Sequence, residues 1–188
     1  MPEVYIYDIL EKVSASDKAV VTRNLNDYLS RCATKGVPVM RAWWWSWDPD
    51  PSGLDILVYV VPFGKSVVRK RYIKAPSPIS GHDGLTYPTN NQPTISEVYY
   101  SGQDPETLAK LIFHEMMHMK LRMGNEMHSI GGLASASVGP DTDLTKPNIE
   151  RMRPALRQSV QQWTDGIEIL RQQKAAIDAG DTLTDVLE

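Results

Sequence analysis

Three of the four histidines in this chain lie within fifteen positions, in the stretch HEMMHMKLRMGNEMH that runs from residue 114 to residue 128. His114 and His118 are four residues apart, so on an α-helix their imidazoles would lie on one face, about one turn apart. Two imidazoles at this spacing match two ligands of a tetrahedral zinc ion. Glu115 would project to the neighbouring side, where its carboxylate can reach a metal-bound water without binding the metal. The spacing therefore predicts one zinc ion, with His114 and His118 as ligands and Glu115 as a general base.

A third ligand is expected from the residues that follow. Gly124 is predicted to end the helix in a left-handed turn, about 9 Å beyond His118 at a rise of ~1.5 Å per residue. The chain from Gly124 to His128 can then span up to ~13 Å, so it can return and place His128 at the same metal. A carboxylate is the alternative third ligand, and the candidates, in order, are Glu150, Glu126, Asp141 and Asp143.

The same stretch resembles the active-site motif of the zincin metallopeptidases, and more loosely that of their metzincin branch. In metzincins the motif is H-E-x-x-H-x-x-G-x-x-H, in which a glycine ends the helix and a third histidine binds the zinc. This chain has the same order of parts in H-E-M-M-H, Gly124 and His128, but the spacing is longer. The resemblance implies a zincin-like fold and a zinc-activated water that hydrolyses a protein or peptide substrate, with the same three histidines and the same glutamate. It also implies that the strand Ile95–Tyr100 pairs with an extended substrate.

Further residues could take part in such a site. Metzincins have a methionine turn beneath the metal, and the segment E-R-M-R-P around Met152 resembles it faintly. The pattern favours instead a helix capped by Thr145, in which Met152 belongs to an apolar stripe. His82, in the loop segment GHDG, and Tyr99 or Tyr100, in the strand before the motif, are candidates for contacting the substrate carbonyl oxygen.

The elements that must position these residues follow from hydrophobic periodicity and turn residues. Strands are predicted at Val4–Leu10, Val37–Trp47, Leu54–Phe63, Ser66–Lys74 and Ile95–Tyr100. The second and third flank the turn sequence DPDPSG, and residues 75–95 form a long loop with one short strand. Helices are predicted at Asp17–Lys35, capped by Ser16 and ended by Gly36, then from the cap Asp104 through HEMMH, and over 145–180.

These elements indicate an α+β fold. A twisted sheet, mixed or mainly antiparallel, would pack against the N-terminal helix and the motif helix, and the C-terminal helix would close the lower side of the cleft. The chain has 188 residues and is expected to be a single domain and a monomer. Residues 1–130 would hold the sheet and the motif helix, and residues 145–180 the C-terminal helix.

Composition excludes several classes of protein. A net charge of −3 and a pI of about 5.8 argue against a dedicated nucleic-acid binder. No apolar run is long enough to cross a bilayer, and no secretory signal is visible, so we expect a cytoplasmic protein or one exported by a signal-independent route. Cys32 is the one cysteine, which excludes an internal disulfide and a cysteine-based zinc site.

Other functions stay open at this point. The zinc could stabilise a non-catalytic binding domain, in which it only joins the helix to its loop. A metal-free interaction module could use the four tryptophans between residues 43 and 47, although a strand covered on both faces explains them better. A peptidase of this size could also be a toxin or effector that acts on one target protein, with an inhibitor or immunity protein as its partner.

Overall fold

A computed structural model describes residues 3–37, 39–46, 56–62, 65–66, 83–87 and 94–158 of the chain. The strands in these residues are β1 (Glu3–Asp8), β2 (Arg41–Trp44), β3 (Ile56–Pro62), β4 (Gly84–Tyr87) and β5 (Thr94–Tyr100). The helices are α1 (Ala15–Arg31), α2 (Pro105–Leu121) and α3, which is helical over 146–158. Two short 3-10 helices, Asn125–Ile130 and Gly132–Ala134, lie between α2 and α3.

The five strands form one mixed sheet in the order β2-β1-β3-β5-β4. Neighbours are parallel from β2 to β5, and β4, at the edge, is antiparallel to β5. The predicted α+β class and mixed sheet are confirmed, but a mainly antiparallel sheet is wrong. Parallel neighbours need a crossover connection, and α1 provides it between β1 and β2. β2 and β3 flank the predicted DPDPSG turn but are not neighbours, because β1 lies between them.

One face of the sheet packs against α1 and α2. Val4 and Ile6 of β1 are fully buried in a core that also contains Leu25 of α1 and Ile112 of α2. The central strand β3 is buried from residue 56 to residue 61, as its unbroken apolar sequence predicts for a parallel strand covered on both faces. α2 lies at the centre of this layer, since most of its residues from 107 to 119 are buried. The motif helix is therefore held firmly against the sheet.

Several predicted boundaries are shifted. α1 begins two residues early because Ser14, not Ser16, accepts the capping hydrogen bond from the Asp17 backbone N–H at 3.1 Å. It ends at Arg31, and Gly36 takes its positive φ of 80° in the turn beyond. β2 covers only four residues of the strand predicted over 37–47. β2 is also at the edge of the described sheet, and Trp43 is 44% exposed. The prediction that a strand covered on both faces buries the tryptophans is therefore wrong for Trp43.

The C-terminal helix is confirmed over 146–158, and the rest of its predicted range lies outside the described residues. The DPDPSG turn, His82 and most of the strand predicted over 66–74 lie outside them as well. The short strand predicted within the loop 75–95 is present as β4. None of the helices in the described parts of the chain has both the length and the hydrophobicity needed to cross a membrane.

Candidate metal centre

α2, the helix that carries HEMMH, is bounded by local interactions. The Asp104 carboxylate accepts a hydrogen bond from the Thr107 backbone N–H at 2.9 Å, which confirms the predicted N-cap. At the other end Arg122 has the left-handed conformation, with a φ of 54°, and its backbone N–H bonds to the His118 carbonyl. The prediction that Gly124 is the left-handed residue is wrong, since its φ is −83°. The last hydrogen bond of the helix is accepted by the His118 carbonyl, so the chain turns away from the helix soon after His118.

The turn after α2 brings the three histidines together. The ring centroids of His114 and His118 are 4.7 Å apart, as their spacing on one helix face requires. The 3-10 helix Asn125–Ile130 carries His128 back, so that its ring lies 5.5 Å from that of His114 and 5.2 Å from that of His118. One potential ligand atom from each histidine lies within 4.8 Å of the other two. The three side chains are therefore close enough to bind one metal ion.

Backbone carbonyls determine the orientation of two of these imidazoles. His114 donates from Nδ1 to the Leu133 carbonyl at 2.7 Å, and His118 donates from Nδ1 to the Met123 carbonyl at 2.8 Å. A carbonyl oxygen can only accept, so each Nδ1 must carry the proton. Each Nε2 of a neutral ring then presents a lone pair, which is the form that binds metals.

The two lone pairs face each other, with 3.1 Å between His114 Nε2 and His118 Nε2. Burial lowers the pKa of His114 to about 4, and burial also lowers the pKa of His118, so both rings are neutral near pH 7. Two facing acceptors repel each other unless a cation lies between them. Tetrahedral zinc with Zn–N bonds of about 2.0–2.1 Å separates its nitrogen ligands by about 3.3 Å. The observed separation fits such an ion.

Glu115 points from α2 towards the edge strand β4. Its side chain is buried, and Thr86 of β4 donates a hydrogen bond from Oγ1 to Glu115 Oε2 at 2.5 Å. Gly84 of β4 lies so close that a Cβ there would be 2.4 Å from Glu115 Oε1, so any larger residue at that position would force the Glu115 side chain to move. Burial raises the pKa of the Glu115 carboxyl to about 8, against the opposing effect of the Thr86 hydrogen bond. A cation at the histidines would lower this pKa.

The histidines and Glu115 line one cleft of about 250 Å³. β4 forms one wall, and the opposite side is formed by the turn after α2 and by the segment that follows the second 3-10 helix. Besides the histidines and Glu115, the lining residues are Asp83, Gly84, Leu85, Thr86, Leu111, Met123, Gly124, Asn125, Ala136 and Val138. The cleft therefore combines three histidines close enough to bind a metal ion, a buried carboxyl and a strand that has a single neighbour among the described residues.

The carboxylates considered as alternative third ligands are not part of the histidine group. Glu150 is exposed on α3 and pairs with Lys146 at 3.7 Å, while Glu126 accepts a hydrogen bond from the Gly124 backbone N–H. Asp141 and Asp143 are exposed. Within the described residues, the one group of potential ligands close enough to share an ion consists of histidines alone. This geometry favours His128 as the third ligand, and that assignment stays a prediction.

Three further expectations can be compared with the structure. Met152 is buried in α3, so the helical interpretation is confirmed and the methionine-turn interpretation is wrong. Tyr99 is buried on the sheet face opposite α2, where its hydroxyl donates to Glu97 at 2.7 Å, and Tyr100 is not among the residues that line the cleft. β5 is paired on both sides, with β3 and β4, so substrate pairing with β5 is wrong.

Sequence reasoning missed the groups that support the histidines and Glu115. Thr86 and Gly84 lie in a Pro- and Gly-rich region where only one unplaced short strand was expected. The alternation of G-L-T-Y was the available signal, because it places Gly84 and Thr86 on the same strand face. The carbonyls of Met123 and Leu133 had no signal, since every residue carries a backbone carbonyl.

Comparison with known proteins does not assign a family to the chain. No protein-family model and no curated protein matches it. Inference about its function therefore depends on the geometry of this cleft and on the resemblance carried by the HEMMH stretch.

Proposed function

We propose that this protein is a zinc-dependent endopeptidase of the zincin type, with His114, His118 and His128 as metal ligands and Glu115 as the general base. The observation that carries the proposal is the pair of facing Nε2 lone pairs, 3.1 Å apart, beside a buried carboxyl in the same cleft. A cation between the two rings would explain why two acceptor nitrogens face each other, and the adjacent carboxyl can accept and release a proton. A zincin-like fold is part of this proposal, since the mixed sheet has an antiparallel edge strand beside the motif helix.

Three imidazoles suit zinc better than calcium or magnesium, which prefer oxygen ligands. A zinc ion held there would supply Lewis acidity, lowering the pKa of a water from ~15.7 towards ~7 and polarising a carbonyl group. The protein's own contribution is to keep the imidazoles neutral and oriented. Burial and the two backbone carbonyls do this for His114 and His118.

Glu115 is placed to accept the proton of the attacking water and to deliver it to the leaving amine. A positioned general base of this kind contributes roughly 10²- to 10⁴-fold to the rate. The Thr86 hydroxyl holds the carboxyl through its hydrogen bond, and the missing side chain at Gly84 leaves room for the carboxyl beside β4. Because burial raises the pKa of the Glu115 carboxyl, little free energy is needed to form the protonated state that delivers the proton.

β4 offers a place for an extended substrate. The Tyr99 backbone N–H donates to the Asp83 carbonyl at 2.9 Å, so residues 83 and 99 form a hydrogen-bonded pair of the antiparallel ladder. Such pairs alternate, and the backbone groups of Gly84 and Thr86 therefore point away from β5. No strand pairs with this side of β4 among the described residues. A peptide that adds there would lie beside Glu115.

The opposite edge of the sheet is less suited to strand addition. The Asn26 side chain accepts a hydrogen bond from the Ala42 backbone N–H at 2.9 Å and donates to the Ala42 carbonyl at 3.4 Å. It therefore occupies the outward backbone groups of Ala42, and covering an edge in this way is one means by which proteins protect it. Of the two edges, β4 is the one that favours a peptide substrate.

Hydrolysis of casein by the full-length protein tests the proposal. We expect slow cleavage that stops after treatment with a zinc chelator and returns when zinc is added back. A calcium or magnesium salt added at the same concentration is the matched control and should restore nothing, because these ions prefer oxygen ligands. Cleavage that persists in protein shown by elemental analysis to hold no metal would contradict the proposal.

Thr86→Val should lower peptide hydrolysis on the order of 10-fold, mainly in kcat, because a loosened Glu115 spends less time in the reactive geometry. Valine keeps the β-branched shape that suits a strand but cannot hydrogen-bond to the carboxyl. Thr86→Ser keeps the hydroxyl and is the matched control, so it should retain most of the activity. Zinc content should not change in either variant. Equal kcat values for Thr86→Val and Thr86→Ser would show that this hydrogen bond does not position the base.

A further inference from the structure

Asn148 is a fully buried polar residue near the start of α3, 0% exposed, and its side chain makes three hydrogen bonds. Its Oδ1 accepts from the Leu133 backbone N–H at 2.9 Å and from the Thr145 backbone N–H at 3.1 Å. Its Nδ2 donates to the Gly131 carbonyl at 2.8 Å. Two N–H donors and one carbonyl acceptor determine which end of the amide is oxygen, so the side chain has one orientation.

Two of these bonds reach the turn that supports the metal centre. Asn148 holds the Gly131 carbonyl and the Leu133 N–H, which are on either side of Gly132. The carbonyl of Leu133 is the group that accepts the hydrogen bond from His114 Nδ1 at 2.7 Å. Asn148 on α3 and His114 on α2 are therefore connected through the backbone of Leu133, with one hydrogen bond at its N–H and one at its carbonyl.

Gly132 shows how closely this turn fits against Asn148. Its φ is +58°, and a Cβ there would be 2.5 Å from Asn148 Oδ1 and 2.6 Å from the Thr145 side chain. A larger residue would have to push the turn away from α3 and would also adopt an unfavourable backbone conformation. The turn before Leu133 therefore packs closely against the start of α3.

Capping of α3 explains only part of this arrangement. Thr145 immediately precedes the helix, and its backbone N–H donates a hydrogen bond to Asn148 Oδ1. This bond resembles the one in a capping box that returns from the third helical residue to the N-cap. A cap needs that bond alone. The bonds to Gly131 and Leu133 connect residues that are 17 and 15 positions away in the chain, and they contribute nothing to the helix end.

We propose that Asn148 is a positioning residue for the metal centre, which acts by holding the backbone of Leu133, whose carbonyl orients His114. The inference depends on the proposed zinc site but not on peptidase activity. Groups that orient a histidine ligand through its second ring nitrogen typically contribute 10- to 100-fold to metal affinity. Asn148 does not contact His114 itself but acts through Leu133, so its effect is expected near the lower end of that range.

The test measures the zinc affinity of the full-length protein by competition with a chromophoric chelator, together with thermal unfolding of the metal-free form. Asn148→Ala should bind zinc about 10-fold more weakly than wild type. Arg151→Ala, three residues further along the same helix and exposed, is the matched control and should be unchanged.

A folded Asn148→Ala protein with lower thermal stability but wild-type zinc affinity would overturn the inference and leave Asn148 as a helix cap. If Asn148→Ala does not fold, Asn148→Asp replaces it, since aspartate keeps the accepting oxygen but cannot donate to the Gly131 carbonyl. Failure of both variants to fold also contradicts the inference, because Asn148 would then serve the whole fold. Absence of zinc binding in the wild type would instead refute the proposed metal site itself.

Discussion

His114→Ala and His118→Ala are each expected to abolish stoichiometric zinc binding, whereas the wild-type protein should hold about one zinc ion per chain. Each substitution removes one of the two Nε2 atoms that face each other at 3.1 Å. Two histidines would remain, fewer than the three or four protein ligands of ordinary zinc sites. The measurement is elemental analysis of protein purified without chelator and then dialysed against zinc.

His82→Ala is the matched control for this prediction, because it removes the fourth histidine of the chain and leaves the other three intact. It should retain the wild-type zinc content. If wild-type protein contains no transition metal, and takes up none when zinc is added, the metal centre does not exist. Zinc retained at full stoichiometry in both His114→Ala and His118→Ala would place the ion elsewhere in the chain.

The third ligand can be identified by the same measurement. His128→Ala should weaken zinc binding far more than Glu150→Ala, because His128 lies within reach of the other two histidines while Glu150 pairs with Lys146 on an exposed helix face. Loss of zinc in Glu150→Ala but not in His128→Ala would assign the third position to a carboxylate.

Local features of the sequence were sufficient to predict the motif helix and its histidines. The Asp104 cap and the i, i+4 spacing act within one or two turns, so they can be recognised without knowledge of the fold. Chain length showed only that His128 could return, since a few extended residues can span the rise of the helix, and the segment that brings it back is a 3-10 helix. Even here the detail differed, because Arg122 rather than Gly124 takes the left-handed conformation.

Features that depend on contacts between distant segments were not predictable in the same way. The order of the strands is determined by crossovers and packing, and the DPDPSG turn carries no information about which strand becomes the neighbour of β2. The support for His114 comes from a backbone carbonyl at Leu133, 19 positions away, and any residue type could supply it. Thr86 lies 29 positions before Glu115, so its role appears only when β4 is placed beside α2.

Glu115→Gln should reduce peptide hydrolysis by at least ~10²-fold, the lower end expected for losing a general base. Glutamine has almost the same shape and can still accept the hydrogen bond from Thr86, but it cannot take up a proton. Glu115 lies beside the histidine group and is not part of it, so zinc content should be unchanged. Thermal stability should be nearly unchanged, because glutamine fills the same buried space as the glutamate side chain.

Hydrolysis of casein and of a broad peptide set is compared for wild type and Glu115→Gln at matched zinc content. A chelator-treated wild-type sample defines the background rate, and Glu126→Gln is the control for a glutamate near the cleft that is exposed. Wild-type activity in Glu115→Gln would remove Glu115 from the mechanism. If zinc-loaded wild-type protein cleaves no peptide in the set, the zinc that joins α2 to the turn carrying His128 is better explained as a stabiliser of a binding domain, and the proposed peptidase activity is refuted for those substrates.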